Sequence, residues 1–460
     1  MKFEKKIIRS YGLLSAHSFY CKPSTVEEII ECIDYAKQHS LSICPYGSGM
    51  SFSDVCLIDN NVSLDITGLD KIIKFDSVNG TITAQAGILT IDILSIIMPV
   101  GWYLCGLSGS LRNTIAGDIS NNVNGKDSWK YGNFGNNVKS MKIALADGTV
   151  QEIDSDNNSE LFYATIGGMG LLGIIVEVTL QLIKIPSYII VNKSERFKNF
   201  DSLMNKMDVL DEKVNSFFYA WTDAFAKSDS FGRSIAETAR FADDGEDVSI
   251  EKFNKGFIEK KRIGFLPPYI FWKLFGMIES QKFFMAANAM KYHFSGAESI
   301  QTKTFPVYQY PMIKHFPQWN LKYLPKGFHE FQPVFPKNNF KDAFSAVLKV
   351  CRQYDCLPQL CAIRKHKKES YYLSFSEDGY SFTINYPLKA FTAKVLEEFN
   401  RKLIDAVLHY NGKIYLGKFP FITPSECKEM YPLYNQFLDI KNRVDPNKIF
   451  SSNAAPRLFA

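Results

Sequence analysis

Residues 106–138 read GLSGSLRNTIAGDISNNVNGKDSWKYGNFGNNV, and this Gly/Asn segment decides the fold. Gly, Asn and Ser dominate it, and almost none of it has the period of an amphipathic helix or a long strand. Apolar residues nevertheless recur through it, which favours burial over disorder. They are Leu107, Leu111, Ile115, Ile119, Val123, Trp129, Phe134 and Val138. Because glycine permits close backbone approach and asparagine both donates and accepts hydrogen bonds, the segment predicts a bed for a long polar cofactor, with a surface Ω-loop as the alternative.

Length, charge and cysteine content limit the kinds of protein that this chain can be. The chain has 460 residues, enough for two or three domains, and its formal net charge of +5 is too mild to indicate nucleic-acid binding. Its nine cysteines show no zinc or iron–sulfur spacing, so no metal site is predicted. Most of them lie in apolar runs, which indicates buried thiols in a reducing, cytoplasmic compartment. Neither a signal peptide nor a membrane-spanning segment is predicted.

The first half of the chain indicates an α+β fold with several small sheets and few helices. Residues 25–39 have helical spacing, and a short strand at 42–45 runs into the turn PYGSGMSFSD at 45–54. Such a small-residue turn presents backbone N–H groups to a phosphate, with a plain β-turn as the alternative. Residues 171–184 alternate as one long strand. No GxGxxG lies between a strand and a helix, so a Rossmann nicotinamide site is not supported.

The second half indicates an antiparallel sheet flanked by helices. Its predicted strands are 188–191, 216–223, 328–335, 359–365, 371–375 and 381–386, and its predicted helices are 200–211, 340–354 and 392–409. Between residues 231 and 300 the pattern weakens, but one strongly apolar segment stands out. This segment, IGFLPPYIFWKLF at 263–275, has Lys and Arg on both sides. It predicts either contact with a membrane surface or a core or dimer contact.

Three pieces of the first half resemble the PCMH-type FAD-binding domain of the vanillyl-alcohol oxidase superfamily. They are the turn PYGSGMSFSD, the Gly/Asn segment and the run ATIGGMGLLGII at 164–175. Further runs narrow the resemblance to the decaprenylphosphoryl-β-D-ribose oxidase family, the flavoprotein half of an epimerase in mycobacterial wall synthesis. They are GWYLCGLSG, WNLKYLPKGFHEFQ, IYLGK and RVDPNKIFSSNAAPRL. The resemblance implies an FAD-binding domain of two α/β subdomains at 1–186, completed by 412–460, and a substrate-binding domain at 187–411.

The same resemblance implies which residues hold FAD. Backbone N–H groups of the turn would wrap the pyrophosphate, and the Gly/Asn segment would lie along the flavin. The implied cofactor-binding residues are Pro45, Tyr46, Gly47, Ser48, Gly49, Met50, Ser51, Phe52, Ser53, Asp54, Val55, Gly109, Thr114, Ile115, Ala116, Gly117, Asn121, Asn124, Gly125, Lys126, Asp127, Ile175 and Tyr415. The implied substrate-binding residues are Lys126, Trp319, Glu330, Gln332, Lys365, Thr383, Asn385 and Lys418.

Two kinds of difference from the relatives bear on the chemistry. Relatives carry His at the position of Asn124, and in many superfamily members a histidine in this segment bonds covalently to the flavin. Asn124 has no nucleophilic ring nitrogen, so non-covalent FAD is expected. Glu330 and Thr383 stand where the mycobacterial enzyme has glutamine and cysteine, which leaves the exact sugar open. Arg364 and Lys365 are neighbours on a predicted strand, so one of them enters the pocket, and Lys365 is preferred.

The expected chemistry is oxidation of a CH–OH group by hydride transfer to flavin N5. A cation near the flavin would stabilise the reduced ring, and Lys418, with Tyr415 beside it, is the predicted catalytic residue, against the alternative of a surface lysine. The substrate implied is a phospho- or lipid-linked sugar, oxidised to a keto-sugar, with a separate short-chain reductase completing an epimerisation. A cytoplasmic protein is expected, and a peripheral position at the inner membrane face stays open.

Two other functions remain open from the sequence. One is an aldonolactone or sugar-alcohol oxidase of the same superfamily that uses oxygen. The other is a flavin-fold binding protein without turnover, against which the presence of both Lys418 and Tyr415 argues.

Overall fold

Two small sheets and one large sheet organise the chain. The computed structural model describes residues 2–243, 249–278 and 280–459, without the side chains of 312 and 313. The first sheet contains β1 (Glu4–Arg9), β2 (Ser15–Cys21), β3 (Ile43–Tyr46) and β4 (Val62–Asp65), in the order β1-β2-β4-β3. Helix α1 (Val26–Gln38) joins β2 to β3, and the Thr25 side chain caps it by accepting from the backbone N–H of Glu28. The helix predicted at 25–39 is therefore confirmed.

The second sheet is antiparallel and has the order β5-β6-β10-β8-β9, while β7 and β11 form a separate pair. The strands are β5 (Ile72–Asp76), β6 (Thr81–Gln85), β7 (Trp102–Tyr103), β8 (Val138–Ala144), β9 (Val150–Asp154), β10 (Ile174–Gln181) and β11 (Ile183–Lys184). The helices are α2 (Thr90–Ile97), α3 (Ile115–Ser120), α4 (Ser128–Tyr131) and α5 (Ser159–Thr165). The long strand predicted at 171–184 is thus two strands that pair with different partners. The two sheets match the expected α/β subdomains.

The Gly/Asn segment is buried, as predicted, but it holds two short helices that the sequence did not indicate. Helix α3 is six residues long and α4 is four, too short to show a helical period in hydrophobicity. The Thr114 side chain caps α3 by accepting from the backbone N–H of Gly117 at 3.2 Å. Tight packing also requires glycine at Gly106, because a Cβ there would lie 2.2 Å from the backbone nitrogen of Phe134.

The large sheet is antiparallel, with the order β15-β12-β14-β13-β18-β19-β17-β20 and with β16 paired to β19. Its strands are β12 (Ile189–Phe197), β13 (Phe217–Thr222), β14 (Ser234–Phe241), β15 (Glu298–Thr304), β16 (Phe328–Phe331), β17 (Pro333–Pro336), β18 (Cys361–His366), β19 (Gly379–Pro387) and β20 (Lys413–Ile414). The remaining helices are α6 (Phe200–Asp208), α7 (Ile250–Lys255), α8 (Pro268–Phe275), α9 (Gln281–Phe294), α10 (Phe305–Gln309), α11 (Pro311–His315), α12 (Phe340–Gln353), α13 (Ala393–His409), α14 (Pro424–Met430), α15 (Tyr434–Val444) and α16 (Ala455–Phe459).

Aromatic contacts fix α12 and α13 against the large sheet, as the sequence predicts for helices flanking a sheet. The ring of Phe344 lies 4.9 Å from that of Phe382, and the ring of Phe399 lies 5.2 Å from that of Tyr386. None of the helices in the described residues is long and apolar enough to cross a membrane.

The strand predicted at 371–375 is wrong. This stretch is irregular and instead contacts the Gly/Asn segment, where the Tyr371 hydroxyl donates to Asn136 Oδ1 at 2.8 Å. Just before it, the buried carboxylate of Glu369 accepts from the backbone and side-chain nitrogens of Asn133 and from Asn122 Nδ2, at 2.8, 3.0 and 2.9 Å. Contacts to the Gly/Asn segment therefore replace the strand pairing that the alternating sequence pattern predicted.

The end of the described chain returns to the first sheet. The backbone N–H of Ile43 donates to the carbonyl of Ile449 at 2.6 Å, and Ser451 N–H donates to the carbonyl of Ile43 at 2.9 Å. This is the arrangement expected if the last segment completes the FAD-binding domain. The start of that segment behaves differently, because β20 pairs with β17 of the large sheet. The domain boundaries as such stay a prediction.

Candidate active site

A cavity of about 500 Å³ lies between the first sheet, the Gly/Asn segment and the large sheet. Sheet register brings its polar walls together, since Glu330 of β16 pairs with Asn385 of β19, and Thr383 of β19 pairs with Ala362 of β18. Thr383 and Asn385 stand two positions apart on one strand, so both face the cavity. The other walls come from the turn after β3 and from the turn after β20.

The turn after β3 presents a row of backbone donors to the cavity. In the part of the chain that the structure describes, the N–H groups of residues 47–52 have no hydrogen-bond acceptor. Gly49 has φ +71°, and a Cβ there would lie 2.2 Å from the hydroxyl of Tyr46. That hydroxyl is itself fixed, because it donates to the carbonyl of Arg9 at 3.0 Å. The turn therefore forms a rigid nest suited to a phosphate group.

Tyr415 and Asn121 close the inner end of the cavity. The Tyr415 hydroxyl donates to the backbone carbonyl of Asn121 at 2.7 Å, and burial raises the pKa of Tyr415 well above its usual range. A Cβ at Gly417 would lie 2.8 Å from Asn121 Oδ1, so only glycine leaves this side chain in place. Asn121 Oδ1 is buried without a hydrogen-bond donor. It is an acceptor left available to a ligand that carries an N–H group.

Asn124 is held in one orientation by two side chains of the large sheet. Its Oδ1 accepts from Arg364 Nη1 at 2.8 Å and from Gln332 Nε2 at 3.1 Å. Asn124 and Gln332 are buried, and Asn124 lines the cavity. The amide therefore braces the cavity wall rather than pointing freely into it.

Lys418 lines the cavity and forms an ion pair with Glu330. Its ammonium nitrogen is 5.2 Å from the ring centroid of Phe52 and 5.7 Å from that of Tyr415. Asn385, with its amide oriented to satisfy both groups, donates to the second oxygen of Glu330 at 2.8 Å. Burial lowers the pKa of Lys418, whereas the charge of Glu330 raises it. The ammonium is thus largely desolvated and depends on one carboxylate partner.

Beyond Lys418 the cavity continues into a cationic region, here called the outer cavity. It is lined by Lys126, Tyr219, Glu237, Lys291 and Arg364. Lys126 Nζ donates to the backbone carbonyl of Tyr308 at 3.0 Å and lies 4.1 Å from the centroid of its ring. Burial lowers the pKa of Lys126 to about 8, so this ammonium is still mostly protonated at neutral pH. Three cations against the single carboxylate of Glu237 favour an anionic ligand.

A comparison with protein families matches residues 17–154 to the FAD binding domain family. This part of the chain is similar to that domain. The match covers β3 and β4 of the first sheet, the nest and the Gly/Asn segment, so the resemblance inferred from the sequence is confirmed for the FAD-binding domain. The cofactor of the chain is FAD.

Relatives of known activity extend over the rest of the chain. Decaprenylphosphoryl-β-D-ribose oxidase of Mycolicibacterium smegmatis is 25% identical over 431 residues, which cover 92% of this chain and 90% of that enzyme. L-gulonolactone oxidase of Mus musculus is 21% identical and covers 98% of this chain and 97% of its own length. D-arabinono-1,4-lactone oxidase of Kluyveromyces lactis is 25% identical over 44% of this chain and 39% of its own length. The chain is an FAD-dependent oxidoreductase that acts on CH–OH groups.

The residues present fit FAD. The nest at 47–52 offers unpaired N–H groups for a pyrophosphate, and Asn121 Oδ1 is an unpaired acceptor for a flavin N–H. The backbone also leaves room, since a Cβ at Gly109 would meet nothing within 4 Å. These residues would hold the cofactor along the wall formed by the Gly/Asn segment.

The structure brings most of the predicted site residues to one cavity. Those lining it are Pro45, Tyr46, Gly47, Ser48, Gly49, Met50, Ser51, Phe52, Val55, Gly109, Thr114, Ala116, Gly117, Asn121, Asn124, Lys126, Ile175, Trp319, Glu330, Thr383, Asn385, Tyr415 and Lys418. Those that do not line it are Ser53, Asp54, Ile115, Gly125, Asp127, Gln332 and Lys365.

The residues off the cavity wall have visible structural contacts instead. Asp54 forms an ion pair with Arg457 at 2.8 Å, which ties the end of the described chain to the nest. The buried Asp127 carboxylate accepts from the Tyr103 hydroxyl at 2.8 Å and from the N–H of Gly106 at 3.1 Å. They support the cofactor wall from behind.

The prediction that Lys365, rather than Arg364, enters the pocket is wrong. Lys365 Nζ points away from the cavity and donates to the carbonyl of Met207 at 3.3 Å, with its ammonium 5.3 Å from the ring of Trp129. Arg364 lines the cavity together with Ala362, two positions earlier on β18. One of the two neighbours lines the cavity and the other does not, as strand alternation predicts. The sequence alone does not show which of them faces the cavity. Glu237 and Lys291 were missed entirely, because they lie in the region of weak pattern.

Acid precipitation of the purified protein is expected to release all of its flavin into the supernatant. The reason is that Asn124 has no nucleophilic nitrogen and its side chain is already engaged by Arg364 and Gln332. The measurement is the visible flavin absorbance of pellet and supernatant. A yellow pellet would show a covalent bond to another residue and would overturn this expectation.

Proposed function

We propose that this protein oxidises a secondary hydroxyl of a phosphate-linked, lipid-carried sugar to a keto-sugar. The observation that carries the proposal is the continuity of the cavity from the FAD nest, past Lys418, to the three cations of the outer cavity. A sugar beside Lys418 would place an attached phosphate among those cations. The full-length similarity to decaprenylphosphoryl-β-D-ribose oxidase supports a substrate of this class.

Bound FAD supplies the acceptor for a hydride. Oxidation of the alcohol would remove a hydride from the carbon and a proton from the hydroxyl, leaving a C=O bond. The hydride would go to the cofactor and the proton to solvent, and turnover would require a separate electron acceptor for the two electrons. Lys418 would hydrogen-bond the reacting oxygen and stabilise the negative charge that builds there. Glu330 and Asn385 would hold that ammonium and the neighbouring sugar hydroxyls.

Oxidation of an aldonolactone is the second candidate, because lactone oxidases also match this chain. A neutral lactone has no group that needs three cations beyond Lys418. The outer cavity therefore favours the phosphorylated substrate over the lactone.

The cellular setting is part of the proposal. All nine cysteines are buried free thiols, which supports a reducing compartment such as the cytoplasm. The keto-sugar product would be returned to an alcohol of inverted configuration by a separate short-chain reductase, so that the two enzymes together epimerise a wall-sugar precursor.

Farnesylphosphoryl-β-D-ribose is expected to bleach the flavin of the anaerobic protein, whereas L-gulono-1,4-lactone is expected to leave it oxidised.

In the variant Lys126→Met the KM for the phosphorylated sugar should rise by about tenfold or more, since a charged contact to the phosphate is lost. The matched control is Lys365→Met, which removes an ammonium outside the cavity and should leave KM unchanged. Bleaching by the lactone alone would reject the phosphorylated substrate.

A further inference from the structure

Helices α8 and α9, with the loop before them, leave an exposed apolar surface that the site does not use. We call it the α8–α9 surface. Its exposed apolar residues are Phe265, Tyr269, Ile270, Leu274, Met277, Phe283, Met285, Met290 and Phe294. Phe265 is 81% exposed, Met277 73% and Phe294 82%, which is unusual for side chains of this size.

Most of the exposed residues on the two helices lie at helical spacing rather than as scattered points, and on α9 they are 283, 290 and 294. On and just after α8 they are 269, 270, 274 and 277, while Trp272 on the opposite side is buried and its indole N–H donates to the carbonyl of Pro317 at 2.8 Å. On α9 the inner side holds the buried Phe284, Asn288 and Tyr292. The two helices meet at Phe275 and Phe284, whose ring centroids are 6.2 Å apart. The core contact that the sequence left open for this segment therefore accounts only for the buried sides of the two helices.

The charge around this surface is strongly positive. Residues 257–294 contain six Lys or Arg and two Glu, which leaves an excess of four positive charges in a chain whose formal net charge is +5. Exposed side chains among them are Lys260, Lys261, Arg262, Lys273 and Lys282. One of the two acids, Glu259, is already paired with Arg112 at 2.8 Å. An apolar stripe interleaved with cations fits an anionic lipid surface.

The same surface adjoins the substrate cavity. Lys291 of α9 and Pro311 of α11 both line the large cavity. Pro311 also lines a smaller cavity of about 410 Å³ that includes Arg262, Ile263 and Gly264. A molecule leaving the outer cavity on this side therefore meets the loop that carries Phe265.

We propose that the α8–α9 surface docks on an anionic phospholipid bilayer, with its apolar stripes in the interfacial layer and its lysines and arginine on the headgroup phosphates. A second copy of the chain fits this surface less well, because a symmetric contact would bring the same cations together. The inference rests on the proposed function only in that docking would bring the cavity entrance to a lipid-carried substrate.

The test is co-sedimentation of the FAD-loaded protein with vesicles of phosphatidylcholine alone and of phosphatidylcholine with phosphatidylglycerol. We expect binding to the anionic vesicles that weakens with added salt. The double variant Phe265→Glu/Leu274→Glu should lower vesicle binding by about tenfold or more. The matched control is Val78→Glu, because Val78 is an apolar side chain 84% exposed on the β5–β6 turn and should leave binding unchanged.

Turnover of the soluble farnesylphosphoryl sugar separates this inference from the proposed function. The double variant should retain its FAD content and its rate on that substrate, which shows that it is folded. Turnover without vesicle binding by the unchanged protein would overturn the docking proposal and leave the proposed function standing. Vesicle binding without turnover would overturn the proposed function and leave the docking proposal standing. The third outcome is that the unchanged protein binds no vesicles but forms a concentration-dependent dimer, and that the double variant loses this dimer. That outcome would identify the surface as a dimer face and overturn membrane docking.

Discussion

Lys418→Met is expected to lower kcat by about 10²–10³-fold while the amount of bound FAD stays the same. Lys418 is a cation that lines the cavity, with its ammonium near the rings of Phe52 and Tyr415. Methionine keeps most of the side-chain volume but removes the positive charge from the place where negative charge develops. Stopped-flow bleaching of the flavin under anaerobic conditions measures the hydride step directly, and the flavin absorbance gives the cofactor content.

Lys413→Met is the matched control for this substitution. Lys413 lies five positions earlier and also pairs with a glutamate, Glu377, at 3.1 Å, but this pair is outside the cavity. Its loss should change stability slightly and leave bleaching as fast as before. Equal rates in Lys418→Met and the unchanged protein would remove Lys418 from the catalytic machinery.

Glu330→Gln is expected to move the alkaline limb of the pH–rate profile to lower pH. Burial lowers the pKa of Lys418 and the Glu330 carboxylate raises it, so removing that charge lowers the pKa further. The reaction needs the protonated ammonium, and activity is lost as pH rises through its pKa. The variant should therefore lose activity at a less alkaline pH than the unchanged protein, while its kcat near neutrality is affected less.

The profile is measured as kcat against pH from neutral to strongly alkaline conditions. Glu377→Gln serves as the control, since it removes the carboxylate beside Lys413 and leaves Lys418 untouched. An alkaline limb that stays in place, or that moves to higher pH, would contradict the coupling between Glu330 and Lys418. The same variant also tests whether the Glu330 carboxylate contributes to sugar choice.

The sequence predicted what depends on pattern and composition. The spacing of apolar residues in 25–39 is a local signal, and α1 follows it. The abundance of Gly and Asn in 106–138 predicted a buried bed, and the segment lines the cavity. Its helices α3 and α4 were missed, since a helix of one or two turns is fixed by capping and tertiary contacts rather than by a hydrophobic period.

Tertiary contacts explain the other differences. Residues 371–375 alternate like a strand, but Glu369 and Tyr371 bind the Gly/Asn segment and take the stretch out of the sheet. Arg364 and Lys365 could not be ranked, because β18 has buried residues on both faces, at 361 and 363 on one and at 366 on the other, and three successive polar residues give no clue to which face each takes. The partnership of Lys418 with Glu330 spans 88 positions and depends on the register of β16. Only the folded chain brings such residues together.

The strand-like contact between Ile43 and residues 449–451 has a consequence for biosynthesis. Ser42 and Lys448, which also hydrogen-bond, are separated by 406 positions. At common rates of translation, the ribosome needs on the order of 20–80 s to add the residues between them. The nest next to β3 therefore lacks this support until residues 448–451 have been synthesised. Cofactor loading is expected to wait until then, and a truncation before residue 449 should leave a chain that cannot retain flavin.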